Sequence, residues 1–184
     1  MPLDIILIGP ISAGKSTVGK HLAALLGLPQ HPMDERRWNY YKEIGYDEAL
    51  AQQKLEAGGF WELYQYWKPF EAHAVERLLS EYHDCVIDFG AGHSVYEDIA
   101  LFKKVEQVLA PYPNVVLLLP SPDLDESVHI LNERTGYVPE HGFNINEHFV
   151  RHPSNYHFAK FTVYTKAKTV EDTCDEILSL VNTT

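Results

Sequence analysis

What this chain has little of sets the first limits on what it does. Positive charge is scarce: 15 Lys and Arg stand against 26 Asp and Glu, a formal net charge of -11. That argues against a general nucleic-acid or anionic-membrane surface, so any anionic ligand must be held by local positive groups. Cysteine is scarcer still. Cys85 and Cys174 lie far apart without metal-ligand spacing, and Cys85 opens an apolar run as a buried core thiol would. A reducing compartment fits, and a cytoplasmic location is the expectation. No apolar run approaches the length of a membrane span, and the amino end lacks the basic region that begins a signal peptide. Repeats, linkers and low-complexity tracts are also missing. The 184 residues fit one domain with a sizeable core.

What is present alternates. Apolar, largely β-branched runs recur at Leu3–Ile8, Cys85–Phe89, Val115–Leu119 and Phe161–Thr165, with a weaker Pro29–Met33 piece. Near-continuous apolar runs suit parallel strands covered on both faces. Helical patterns fall at Lys15–Leu26, Asp47–Ala57, Gly59–Tyr82, Tyr96–Ala110, Leu124–Arg134 and Val170–Val181. Asp123 stands where it could cap the fifth of these. Strand and helix in alternation predict a three-layer α/β/α sandwich around a five-stranded parallel sheet.

At the first strand-to-helix junction stands Gly9-Pro10-Ile11-Ser12-Ala13-Gly14-Lys15-Ser16-Thr17. Strand, Gly-x-x-x-x-Gly-Lys-Ser and helix start is the context in which that motif binds phosphates. The two glycines let backbone N–H groups turn inward, and the helix start adds unpaired N–H groups and the positive end of its dipole. Lys15 is expected to reach the β- and γ-phosphates, and the Ser16 hydroxyl to ligate Mg²⁺. Asp88, closing the second acidic strand, suits a water-mediated contact to that ion, or simply caps a turn. No Asn-Lys-x-Asp guanine signature occurs, and Phe89 stands where a motor ATPase would carry a water-activating Glu.

Two segments depart from the alternation. Residues 38–67 hold nine of the chain's 22 Phe, Tyr and Trp residues, which either pack helices or wall a pocket for a flat ligand. Residues 136–156 are rich in Gly, Pro and His and read as a cover over the nucleotide, or as an ordinary surface loop. His148 and His152 could share a helix face there, but no Cys or Glu completes a zinc pattern in sequence.

Set side by side, these motifs resemble the shikimate kinase family, within the small nucleoside-monophosphate-kinase-like enzymes. Gly27-Leu28-Pro29 followed by Asp34 is similar to its Gly-Leu-Pro-x-x-Asp-x-Asp, and Trp67-Lys68-Pro69-Phe70-Glu71 to its Phe-Arg-x-x-Glu. Gly90-Ala91-Gly92 looks like its Gly-Gly-Gly, Arg134-Thr135-Gly136 like its Arg-Thr-Gly before the lid, and Asn155-Tyr156 like its Leu-Tyr-Arg after it. The resemblance implies an ATP- and Mg²⁺-dependent small-molecule kinase with a helical acceptor-binding insertion at about 34–82 and a lid at about 136–156. It further implies that Asp34 orients the acceptor hydroxyl and that Lys68, Gly90, Gly92 and His157 meet the acceptor. Arg134 would serve adenine or the transferring phosphoryl, with Arg151 or His141 as further sources of charge.

Departures matter as much. Pro32 replaces the first Asp, Lys68 an arginine, and the lid has no Arg-Pro pair. An ammonium does not reproduce a guanidinium fork. Shikimate itself is therefore not the expected acceptor. The rival reading is a nucleotide-binding module or sensor without efficient transfer. Partners are expected to be a nucleotide and a small molecule, with no nucleic acid or membrane, and the chain a monomer or homodimer.

Overall fold

The computed structural model describes residues 3–136 and 143–181. In chain order these form β1 (Ile5–Ile8), α1 (Lys15–Leu26), β2 (Gln30–Pro32), α2 (Met33–Glu43), α3 (Glu48–Glu81), β3 (Val86–Asp88), α4 (Ile99–Leu109), β4 (Val115–Leu119), α5 (Leu124–Thr135), α6 (Ile145–Arg151), α7 (Pro153–Phe158), β5 (Phe161–Tyr164) and α8 (Val170–Val181). All five strands are parallel, in the order β2-β3-β1-β4-β5. The expected sandwich is the observed fold. Central strands β1, β3 and β4 are buried along their whole length, which is why they read as unbroken apolar runs. Helices α1 and α8 pack together, as do α3 and α4. No helix among the described residues is long and apolar enough to cross a membrane.

Register fixes the site. Leu7 pairs with Asp88 on one side and Val116 on the other, so β1 and β3 end level and their following loops face each other. This crevice beyond the carboxyl ends of parallel strands is where open α/β sheets bind ligands.

Several elements differ from the sequence expectation. Helix α2 was not anticipated: only Met33, Tyr40 and Tyr41 are buried, so its apolar period is thin. Its first turn carries Asp34 and Glu35, which the helix dipole favours. The break expected between residues 57 and 59 is, by contrast, observed: within α3, Gly59 has φ 68°, ψ −162°, outside the helical region, and two helical stretches meet there at a kink. Helix α4 starts at the Asp98 cap rather than Tyr96, because Val95 and Tyr96 are buried in extended chain. Within 136–156, residues 145–151 form α6, capped by Asn144, and residues 153–158 form α7, capped by His152, with Ile145, Phe149 and Val150 buried. His141 and the rest of 137–142 lie outside the described residues.

Candidate active site

The phosphate loop is shaped by backbone. Gly9 has φ 137°, and a Cβ there would come within 2.5 Å of Leu118 O. Gly14 has φ 94° and precedes α1 with no side-chain cap, so the first N–H groups of that helix are left for a ligand. Ser12, with φ 59°, holds a left-handed conformation that non-glycine residues rarely adopt. Strain kept between two left-handed glycines is what a preformed anion cradle requires.

Lys15 crosses this loop, its Nζ donating to Gly9 O at 2.9 Å and Pro10 O at 2.7 Å. Burial lowers its pKa to about 8, against the pull of Asp34 and Asp88. Ser16 Oγ donates to Asp88 at 2.6 Å, and Gln30 Nε2 fixes the other Asp88 oxygen at 2.8 Å. A hydroxyl and a carboxylate oriented by an amide are the hard oxygen donors Mg²⁺ takes. The residues present therefore fit Mg²⁺ and a polyphosphate. Arg134 donates to Ser12 O at 3.2 Å, which brings its guanidinium against the loop.

Two cavities open side by side above the strand ends. One, of about 280 Å³, is lined by Ser12, Gly14, Lys15, Ser16, Thr17, Phe89 and Gly90. The other, of about 150 Å³, is lined by Arg37, Phe60, Tyr64, Trp67, Glu71, Gly92 and Phe149. Ile11, Asp34 and Ala91 line both. Asp34 stands at the junction.

Other residues take places the sequence did not indicate. Lys68 is not free to meet an acceptor: it is buried, paired with Glu71, and donates to Gly92 O at 2.9 Å and Val95 O at 3.0 Å. Burial lowers the Lys68 pKa and raises that of Glu71, and their attraction opposes both shifts. His157 pairs with Glu106 and packs on Phe102, outside both cavity linings, because α7 faces α4. Arg151 pairs with Asp125 and Glu147 on an exposed face, again outside both linings. Gly90 and Gly92 do line the cavities. A Cβ on Gly90 would come within 2.8 Å of Asp34 Oδ1, and one on Gly92 within 2.2 Å of Glu71 Oε1. Of the nine aromatics in 38–67, Phe60, Tyr64 and Trp67 wall the second cavity. Trp38, Tyr41 and Tyr46 pack on one another and, through Tyr41 and Tyr46, on Phe70.

Sequence reasoning missed Arg37 and gave Glu71 no role. Arg37 sits one helical turn after Asp34, its Nη1 3.3 Å from Asp34 Oδ1. The i, i+3 spacing is the signal, and it speaks only once α2 is known to be a helix.

The structure also supplies the carboxylate that His148 and His152 lacked in sequence. Glu97 Oε1 is 2.8 Å from His148 Nε2 and 3.6 Å from His152 Nε2, and Tyr64 donates to it at 2.9 Å. The ligand atoms of these three residues lie within 4.8 Å of one another. His152 Nδ1 accepts the Ser154 N–H at 3.2 Å, so in the neutral ring Nε2 carries the proton. A metal on Nε2 needs the opposite tautomer. Burial would raise the Glu97 pKa, but hydrogen bonds from His148 and Tyr64 outweigh it and hold it at about 2. The cluster is a hydrogen-bonded tie between α3, the chain before α4, and α6.

No protein-family model matches the chain. A shikimate kinase of Parabacteroides distasonis is 32% identical over 94 residues, 51% of this chain and 48% of the relative. The chain thus spans about half the length of the curated relative it matches. Among solved structures, a shikimate kinase from Acinetobacter baumannii in complex with shikimate superposes with a TM-score of 0.66 at 23% identity, over 100% of this chain and 94% of that one. A gluconokinase from Sinorhizobium meliloti gives 0.51 at 16% identity, covering 99% and 93%. A deoxyadenosine kinase from M. mycoides with products bound gives 0.50 at 15%, covering 99% and 100%. The chain is a shikimate kinase-like phosphate-loop protein in its fold.

Proposed function

We propose that this protein is a small-molecule kinase that transfers a phosphoryl group from ATP to a hydroxyl of an acceptor other than shikimate. One observation carries the reading: Asp34 lines both the phosphate-loop cavity and the aromatic cavity beside it. A carboxylate at that junction can orient an acceptor hydroxyl toward a γ-phosphate held on the loop and take up its proton as the new P–O bond forms, while the bond from the γ-phosphorus to the β–γ bridging oxygen breaks and ADP leaves with that electron pair.

Lys15, the loop N–H groups and the start of α1 hold the β- and γ-phosphates, and Ser16 with Asp88 holds Mg²⁺. The chemistry supplied on binding is a transferable γ-phosphoryl group with a divalent cation that offsets the charge on its oxygens. Arg134 serves the nucleotide, since its donor already reaches the loop. Gly90 and Gly92 let the acceptor approach backbone at the strand ends. Catalysis of this kind is mostly positioning and charge stabilisation.

The test is to mix the protein with ATP and Mg²⁺ and a panel of alcohols, and to follow ADP. Acceptor-dependent ADP supports the kinase. Tight nucleotide binding with no acceptor-dependent turnover across the panel supports a binding module instead.

A further inference from the structure

Two cations stand at the aromatic cavity, and the protein uses them in opposite ways. An ammonium has three N–H groups. Lys68 spends them inside the protein, on Gly92 O, Val95 O and the Glu71 carboxylate. It is not part of the lining, and it neutralises Glu71, which is.

Arg37 does line the cavity, and most of its donors are unspent. A guanidinium carries five N–H groups in one plane. Nη1 lies 3.3 Å from Asp34 Oδ1, and Nε is buried with no hydrogen-bond partner. The Asp34 side chain is 63% exposed, so water screens that single contact. What holds Arg37 is aromatic: its guanidinium carbon is 4.6 Å from the Trp38 ring centroid and 6.0 Å from that of Trp67. Ring contacts take the charge by its face and leave the N–H edge for hydrogen bonds. A buried N–H without an acceptor is costly, and a ligand oxygen brought to it removes that cost.

The cavity volume, about 150 Å³, is room for roughly one six-membered ring. Phe60 and Trp67 supply a flat apolar wall for it, and Asp34 lines it beside Arg37.

We propose that Arg37 is the specificity residue of this cavity, binding a carboxylate of the acceptor along its guanidinium edge while Asp34 takes the hydroxyl. The Nη nitrogens meet the carboxylate first, and a small turn of the side chain brings Nε into the fork. The proposal rests on the reading of this cavity as the acceptor site. It moves the charge contact from α3, where the motif's basic residue is consumed, to α2, one turn from the hydroxyl-orienting residue. A carboxylate met on α2 calls for an acceptor of another shape than one met on α3.

The probes are 3-hydroxybenzoate and 3-hydroxybenzamide, which share a flat ring and a hydroxyl and differ in charge. Each is titrated into the full chain with and without Mg–ATP, read by calorimetry and ligand-observed NMR. The acid should bind at least about tenfold more tightly than the amide, the range for a charged hydrogen-bonded contact. Arg37→Gln should shrink that ratio about tenfold by weakening the acid alone. Equal or tighter binding of the amide by the wild-type chain overturns the proposal, as does binding of neither probe. A folded Arg37→Gln variant that keeps the ratio, or weakens both probes equally, overturns the role of Arg37. If that variant does not fold, Arg37→Lys decides, because it keeps the charge and loses the fork. The acid should then weaken severalfold with the amide unchanged; unchanged acid affinity overturns the role. Nucleotide titration and ADP release keep the two readings apart. Absent Mg–ATP binding sinks the kinase while the probe ratio still judges Arg37, and ADP release driven by uncharged alcohols but by no acid overturns this proposal alone.

Discussion

The two halves of the cleft are made from different material. The phosphate half is mostly backbone: left-handed Gly9, Ser12 and Gly14, the open start of α1, and one lysine lying along the loop. The acceptor half is side chains carried by α2 and α3: Arg37 pairs with Asp34 and Lys68 with Glu71 one turn apart on the same helix, and Lys68 also donates across to two carbonyls of the 92–95 turn. Backbone geometry of the first kind is written locally and survives changes elsewhere. Pairing of the second kind depends on which helix face meets which. A single apparent substitution, Lys for Arg at residue 68, therefore shifts the meaning of the whole acceptor side.

If the halves differ in this way, their mutants should fail differently. The largest effect is expected for Lys15→Ala, which should cut turnover on the order of a hundred- to a thousandfold by removing a charge preorganised for the phosphates. Its circular dichroism should stay that of the parent; a variant that still transfers phosphate at the parent rate would break the reading of the loop.

Lys68→Ala should instead show up as lost stability. It strands the Glu71 carboxylate in a buried site, costing about 3–5 kcal/mol. Denaturant unfolding is the measurement, and a Lys68→Ala/Glu71→Ala double variant should be destabilised by less than the two single costs combined. A normally stable Lys68→Ala protein that has lost only acceptor affinity would return Lys68 to the site.

A smaller effect sharpens the phosphate half. Lys15 titrates at about 8 because burial disfavours its charge, and a bound phosphate would favour it. Nucleotide affinity should be flat below pH 8 and fall up to about tenfold per unit above it, with proton uptake on binding seen by calorimetry near pH 8 to 9. A flat profile to pH 10 would mean that the ammonium is not what meets the phosphates. The smallest effect belongs to Arg151→Ala. Its pairs with Asp125 and Glu147 are exposed and screened by solvent, so stability should barely move and turnover should stay within about twofold in steady-state assays.

Legibility in the sequence followed the same division. The strands were readable because β1, β3 and β4 are buried on both faces, and the loop because its spacing is local. Asp123 capping α5 was readable too, since its Oδ1 accepts the Glu126 N–H three residues on. Helix α2 was not, because only three of its residues are buried, and with it went the Asp34–Arg37 turn. The fate of Lys68 was also hidden. Its partners include Gly92 and Val95, more than twenty residues away along the chain. The Glu97 tie failed for the same reason, since 51 residues separate Glu97 from His148.

The most direct test of the whole account addresses the residue shared by both cavities. Asp34→Asn keeps the shape and removes the charge. Single-turnover phosphoryl transfer to an accepted alcohol, measured beside Mg–ATP and acceptor binding on the same preparation, separates chemistry from binding. The account predicts transfer slowed about 10²- to 10⁴-fold, the range for losing a general base, with both affinities within a few-fold of the parent. Transfer at the parent rate, or a loss explained wholly by weaker nucleotide binding, would contradict it.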